Sequence, residues 1–472
     1  MVEILHYLNR FQKVTLDNWE RQALSDYEGR DYTYADVASL IVKMNIAFES
    51  MGLAKGDKIA ICGKNSVHWG AAFLSAAVYD AVAVPVRYGL SAASTLEFCR
   101  HSDSSLLLTD VKTFTGMDLS KAGQLKAILN IDDFSCLWAR NYSIKDAFDD
   151  ADASFLQAYP EGLAKEDIHF GKEFLDSVEV INYANSQEDS PKGIMLTGRN
   201  LSSNIQFALE TIKVSNGDRS LSMLPLAQMY GLTFEFLFAL CAGSHIFFLN
   251  RTPSPCMLKA VCAHVKPFIL ITVPQIIDKI VKNKVLPALD RPLARLLARI
   301  PVLDRLLYKS IGRRVLAMLG GRIREITIGG GLVDRQTEEI LHKTGLPYSV
   351  GYGMNECAPL IAYATHEKSA FGSYGRVMAN YDEIRINSYV PDIIPGEIQV
   401  RGANVMAGYY KDPQANAAAF TEDGWLRTGE VGLMSRSGDL FVVGEVVQEH
   451  RAVRLKPEPH LKIEHKVVMA AC

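Results

Sequence analysis

Between Asn182 and Gly193 the chain reads NYANSQEDSPKG. The stretch follows an apolar strand pattern and precedes a helical one, the setting of a loop that cradles phosphate. Such loops use glycine, because bare backbone lets N–H groups approach phosphate oxygens. Here the residues from Asn185 to Ser190 include no glycine and carry Glu188 and Asp189. A carboxylate about 4 Å from a phosphate charge, at an effective dielectric near about 20, costs roughly 4 kcal/mol before screening. Taken alone, these residues leave two readings, a polar turn and a phosphate loop of altered charge. Five further stretches pair glycines with polar or aromatic residues. They are LPLAQMYGL (224–232), a Gly-Gly-Gly (329–331), GYGMNE (351–356), GYYKDP (408–413) and GWLRTGE (424–430).

Together with PKGIMLTGRNL (191–201), this ordered set resembles the acyl-CoA synthetase, luciferase and peptide-synthetase adenylation superfamily over roughly residues 15 to 445. In that superfamily a carboxylate attacks the α-phosphate of ATP, giving an acyl-adenylate and pyrophosphate. A thiol, usually of coenzyme A, then takes the acyl group. The chemistry rests on positioning and charge neutralisation. The resemblance implies ATP, Mg2+ and coenzyme A as cofactors and a small carboxylic acid as substrate. It gives the catalytic roles to Lys192, Asn355 and Glu356. Glu356 would hold Mg2+, Asn355 would contact the α-phosphate and Lys192 would border the phosphate loop. Ser186, Gln187 and Glu188 fall in that loop. Gly330 and Gly331 would line the adenine and acyl pocket, Tyr352 beside Gly353 would stack on adenine, and Glu430 would bind the ribose. Gln228, Met229, Tyr230 and Gly231 would border the acyl tunnel. Bland readings stand beside these: Tyr352 as a core aromatic, Glu356 as a solvated loop acid, Gln228 and Cys357 as packing residues.

Several positions depart from the superfamily pattern. Its phosphate loop is TSGTTGxPKG. Ser186 and Asp189 stand where its glycines belong, and Gln187 and Glu188 replace hydroxyl residues. Gln228 stands where coenzyme A ligases carry His or an aromatic. Asn355 replaces Thr and still donates a hydrogen bond. Glu430 replaces Asp, moving the carboxylate by roughly 1 Å, a shift that can cost about 10²-fold in rate. At the hinge, Glu445 follows Gly444 where Arg is usual, and Val447 takes the place of a Lys, so one charge is reversed and one lost. These changes lead to the expectation of an acyl-CoA synthetase with impaired activity. The alternative is an inactive pseudoenzyme that serves as an acyl-binding or interaction module.

Alternating helical and strand patterns must position these residues. Helical spacing covers Tyr34–Met51 and Trp69–Val78. Apolar strands are expected at Lys58–Cys62, Ala81–Val86, Ser105–Thr109, Val178–Asn182, Ser220–Leu224, His245–Leu249, Phe268–Val273 and Glu325–Ile328. The implied fold is α/β, layered and mostly parallel, over residues 1–372. Short strands at Glu383–Asn387, Glu397–Arg401 and Leu440–Val443 suggest a small antiparallel part, a partial barrel, over 373–444. Residues 445–472 read as a short tail where the superfamily has its C-terminal domain.

The chain has 472 residues, 48% apolar and 22% charged, with a net charge of −3. No overall field draws it to nucleic acid. Eight scattered cysteines form no CxxC pair and suggest a reducing compartment. The N-terminus lacks a signal pattern and no uncharged apolar run spans a membrane, so a cytoplasmic location is expected. Between residues 291 and 314 the chain reads RPLARLLARIPVLDRLLYKSIGRR. Arg291, Arg295 and Arg299 share one helical face and leucines another, with Pro301 as a break. The expectation is either an ordinary surface helix or a peripheral contact with an anionic membrane. A similar insertion in long-chain fatty acyl-CoA synthetases implies a fatty acid substrate.

Overall fold

A computed structural model of the chain describes residues 2–183, 191–251, 253–447 and 452–455. Ser186, Gln187, Glu188 and the tail from 456 onward lie outside the described residues.

The largest sheet has eight strands. Its centre is parallel: Val178–Asn182, Val82–Pro85, Lys58–Cys62, Ser104–Thr109 and Ala127–Asn130 lie side by side in that order. Every residue of Ser104–Thr109 is buried, because helices cover both faces, and such strands need no polar alternation. Antiparallel strands finish the sheet: Cys136–Ala139 at one edge, Ile194–Thr197 and then Gly408–Tyr409 at the other. A second sheet joins Arg219–Ser222, His245–Phe248, Gln22–Asp26 and Asp31–Thr33. The helix Val67–Val78 is buried from Trp69 to Ala77 and packs on strands of both sheets. A third, parallel sheet joins Ile269–Thr272, Glu325–Ile328 and Tyr348–Val350.

The antiparallel part is an open five-stranded sheet. It runs Asp382–Asn387, Gly396–Gly402, Leu426–Met434, Leu440–Val447, Ala452–Leu455. No pairing joins the first strand to the last, so the sheet does not close. The last strand lies in the stretch read as a tail. Two segments tie this region to the rest. Arg376–Val377 pairs with Leu360–Tyr363, and Gly408–Tyr409 pairs with Ile194–Met195 of the large sheet. The segment after residue 291 forms two helices, Pro292–Leu297 and Pro301–Met318. Pro301 opens the second, at a position where its missing N–H costs nothing.

Candidate active site

The GYGMNE stretch ends in a tight turn. Gly353 can only be glycine there, because an added Cβ would lie 2.0 Å from the Pro359 carbonyl oxygen. A short 3-10 turn over Asn355–Cys357 follows, then Ala358 in the left-handed region. The buried Asn204, on the helix Gly198–Thr211, clasps both ends of this turn. Its Nδ2 donates to the Cys357 carbonyl at 3.0 Å, and its Oδ1 accepts the Leu360 N–H at 2.9 Å. Thr233 donates its hydroxyl to the Ala358 carbonyl, and the Met406 N–H reaches the Glu356 carbonyl. The backbone of Asn355 and Glu356 is thereby held. Cys357 is fully buried, and burial pushes its thiol well above the ordinary range, so it packs rather than reacts.

The 224–231 segment is fixed in the same way. Asn65 bonds the Leu224 carbonyl and the Leu226 N–H, and Asn182 donates to the Ala227 carbonyl. Glu235, fully buried, accepts the Met223 and Leu224 N–H groups at 2.8 Å each. Burial raises its carboxyl well above the usual range. Glu235 lies in the π-helical stretch Gly231–Phe238, a form that often marks functional sites.

These elements surround one cavity of about 530 Å3. Nine of the site residues expected from the sequence line it: Gln228, Tyr230, Gly330, Gly331, Tyr352, Gly353, Asn355, Glu356 and Glu430, together with Gly329, Tyr374 and Thr428. Tyr352 is buried, and burial followed by the Glu430 carboxylate holds its phenol well above the ordinary value. Tyr374 meets its ring edge-on at 6.1 Å. Register sets Glu430 directly opposite Glu445, so these two carboxylate residues are cross-strand neighbours. Met229 and Gly231 do not line the cavity. Met229 is turned into the core, and Gly231 packs its backbone against Pro225, where a Cβ would meet the carbonyl oxygen at 2.7 Å.

Lys192 connects to the cavity through Tyr409, a residue the sequence reading passed over. The Lys192 ammonium lies 3.7 Å from the centre of the Tyr409 ring, and the Tyr409 hydroxyl donates to Glu356 Oε1 at 3.0 Å. Lys192, Tyr409 and Glu356 thus form a chain of contacts across three motifs. The only advance signal was Tyr409's place in GYYKDP.

Beside the cavity lies an apolar groove between the helix Gly198–Thr211, the π-helical stretch and the third sheet. Phe207, Ile212, Phe234, Phe238, Ile271 and Tyr363 line it, and Tyr230 and Leu360 are shared with the cavity. Only about 20 Å3 between these side chains is free. The Tyr230 ring lies on Gly329, where a Cβ would come within 2.7 Å of it, and its hydroxyl donates to the Thr327 carbonyl at 3.2 Å.

The family described as AMP-binding enzyme matches residues 11–410. The chain belongs to the AMP-binding enzyme family. It is 26% identical to 4-coumarate–CoA ligase 2 of Oryza sativa subsp. japonica, covering 89% of this chain and 70% of that ligase. It is 24% identical to the long-chain-fatty-acid–CoA ligase FadD15 of Mycobacterium bovis, covering 90% and 71%. It is 25% identical to long chain acyl-CoA synthetase 1 of Arabidopsis thaliana, covering 92% and 69%. The fold matches the inhibitor-bound N-terminal domain of FACL13 from Mycobacterium tuberculosis with a TM-score of 0.72 at 19% identity, covering 94% of this chain and all of that one. Within this AMP-binding chain the family match includes Lys192, Glu356 and Tyr409 and stops short of Glu430.

The described residues fit the nucleoside half of a nucleotide. A buried aromatic, a glycine strip and a carboxylate line one cavity. For the phosphate half they offer Asn355, Glu356 and Lys192. Mg2+ keeps several waters and takes one or two carboxylates plus substrate phosphates, so a single Glu356 suits it. Among the described residues no group of three or more His, Cys, Asp or Glu side chains forms a metal site of its own.

Proposed function

We propose that this AMP-binding enzyme is an acid–thiol ligase that activates a fatty or similar carboxylic acid with ATP and passes it to coenzyme A. The observation that carries this reading is the shared cavity, where Tyr352, Glu430, Asn355 and Glu356 converge beside an apolar groove. Tyr352 and the strip Gly329–Gly331 take the adenine, and Glu430 takes the ribose hydroxyls. Asn355 donates to the α-phosphate. Glu356 holds Mg2+, which when bound neutralises phosphate charge. Tyr409 orients Glu356, and Lys192 stands at the phosphate edge. The acyl group enters the groove past Tyr230. With about 20 Å3 free, the groove has to open by movement of Tyr230 or the phenylalanines before an acyl chain fits. The same reading places the chain in the cytoplasm, with a peripheral lipid contact through residues 291–314.

Turnover is expected to be low. Glu188 and Asp189 put negative charge in the loop that meets phosphate, and Glu445 adds a carboxylate opposite Glu430. A second reading, a non-catalytic acyl-binding module, rests on the same charges. Carboxylate-dependent exchange of pyrophosphate into ATP separates the two. Exchange at any rate above the acid-free control supports the ligase. Its absence with a panel of fatty and aromatic acids, alongside retained acyl binding, selects the module.

A further inference from the structure

Exposed apolar side chains cluster at one place. Leu293 and Leu296 on the first of the two helices, Ile300 just before the second, and Val302 and Leu306 on it are 50 to 70% exposed. Five large apolar groups within fourteen residues of exposed surface call for a covering partner.

Charge identifies that partner. Along the helix Pro301–Met318, Val302, Leu306, Lys309 and Arg313 follow one another at helical spacing on the exposed side, apolar first and then basic. Arg291, Arg295 and Arg299 are exposed beside the first apolar group. The only acids between 290 and 314 are Asp290, already paired with Arg295 at 3.4 Å, and Asp304. A cleft of about 280 Å3 opens between Pro301–Met318 and Arg335–Thr344, lined by Arg305, Lys309, His342 and Lys343, with Asp304 as its one carboxylate. Apolar groups next to a basic cleft match the two halves of an anionic phospholipid.

We propose that an anionic bilayer docks on this surface, with a phosphate-bearing headgroup in the Arg305–Lys343 cleft and acyl chains against Val302 and Leu306. This rests on the reading of 291–314 as a lipid contact and does not require turnover. Flotation of the full chain with vesicles of phosphatidylcholine, alone or with phosphatidylglycerol, tests it. The expected result is capture by the anionic vesicles only, weakened by salt. Arg305→Glu with Lys309→Glu should weaken capture about tenfold or more. Val302→Asp with Leu306→Asp should abolish it, with melting temperature unchanged because both side chains are exposed. Inorganic phosphate should not release the protein. Equal capture by neutral vesicles, no capture at all, variants that float like the parent, or release by free phosphate would each overturn the proposal. So would a dimer in ultracentrifugation that the apolar double variant dissociates, since the covering partner would then be a second copy. Pyrophosphate exchange measured on the same variants keeps the two questions apart: its loss or absence alone leaves the lipid surface standing.

Discussion

At the scale of the residue, Glu356 is the side chain whose surroundings matter most. Its carboxylate accepts from Tyr409, whose ring lies under the Lys192 ammonium. Tyr409→Phe keeps the ring for Lys192 and removes only the hydroxyl. A hydrogen bond to a charged group is worth roughly 1.5–3 kcal/mol. Half-exposure of Glu356 brings the expected loss to about 1 kcal/mol, read by urea unfolding, and a variant as stable as the parent would remove Tyr409 from the positioning of Glu356. Asp382 offers a test by pH. Burial holds its carboxyl at about 9, above its ordinary 3.8. Between those values the folded state keeps a proton that the unfolded chain has released, so this group's contribution to stability is greatest below about pH 4 and falls as pH rises toward 9. At pH 7 the difference is at most about 4 kcal/mol. Asp382→Asn keeps an oxygen to accept from Asn404 and should flatten this slope, as melting temperatures from pH 4 to 9 would show. An unchanged slope would assign the pH dependence elsewhere. That Tyr352 and Glu430 line the cavity was legible because motifs carry them. Tyr409 and Asp382 were not, because a hydrogen-bond partner and a depth of burial belong to the fold and leave no local pattern.

At the scale of the element, buried strands were readable where apolar residues run together, as in Lys58–Cys62, or recur at every second position, as in Glu325–Ile328. Gln22–Asp26 and Leu360–Tyr363 were not anticipated. The first, QALSD, has polar ends, and its pairing with His245–Phe248 comes from more than two hundred residues away. The second forms inside a turn-rich stretch and pairs with only two-residue strands. Asn204 shows the same limit. A mid-helix asparagine is neutral or unfavourable locally, yet here it is buried and holds the turn that presents Asn355 and Glu356. Asn204→Leu, close in volume, strips both contacts and leaves a carbonyl and an N–H unpaired. Each such group costs about 1–3 kcal/mol, so a loss of about 3 kcal/mol is expected in chemical denaturation. A loss below about 1 kcal/mol would mean the turn holds itself.

At the scale of the whole molecule, the cavity is built from segments spread between Gln228 and Val442, with Lys192 reaching it through Tyr409. Six motifs in order made that assembly readable. Which motif residues enter the cavity was less so: Met229 belongs to the core although its neighbours on both sides face the cavity. The charge around the site is a property of the whole fold. Glu356, Glu430 and Glu445 come together from separate strands and turns, and the sequence adds Glu188 and Asp189 shortly before Lys192. An ATP molecule brings several further negative charges to a site where Lys192 is the one cation tied to the cavity by described contacts. If the loop acids are the main obstacle, Glu188→Thr with Asp189→Gly should tighten Mg-ATP binding by tenfold or more in titration calorimetry, since a single repelling pair is worth a few kcal/mol at about 4 Å. The same change should raise the melting temperature in saturating Mg-ATP, because a ligand at about a hundredfold excess over Kd adds about 2.7 kcal/mol. Affinity that does not move would shift the cause to the far side of the cavity, where Glu430 faces Glu445. There Glu445→Arg, which restores the hinge charge, becomes the change expected to recover binding.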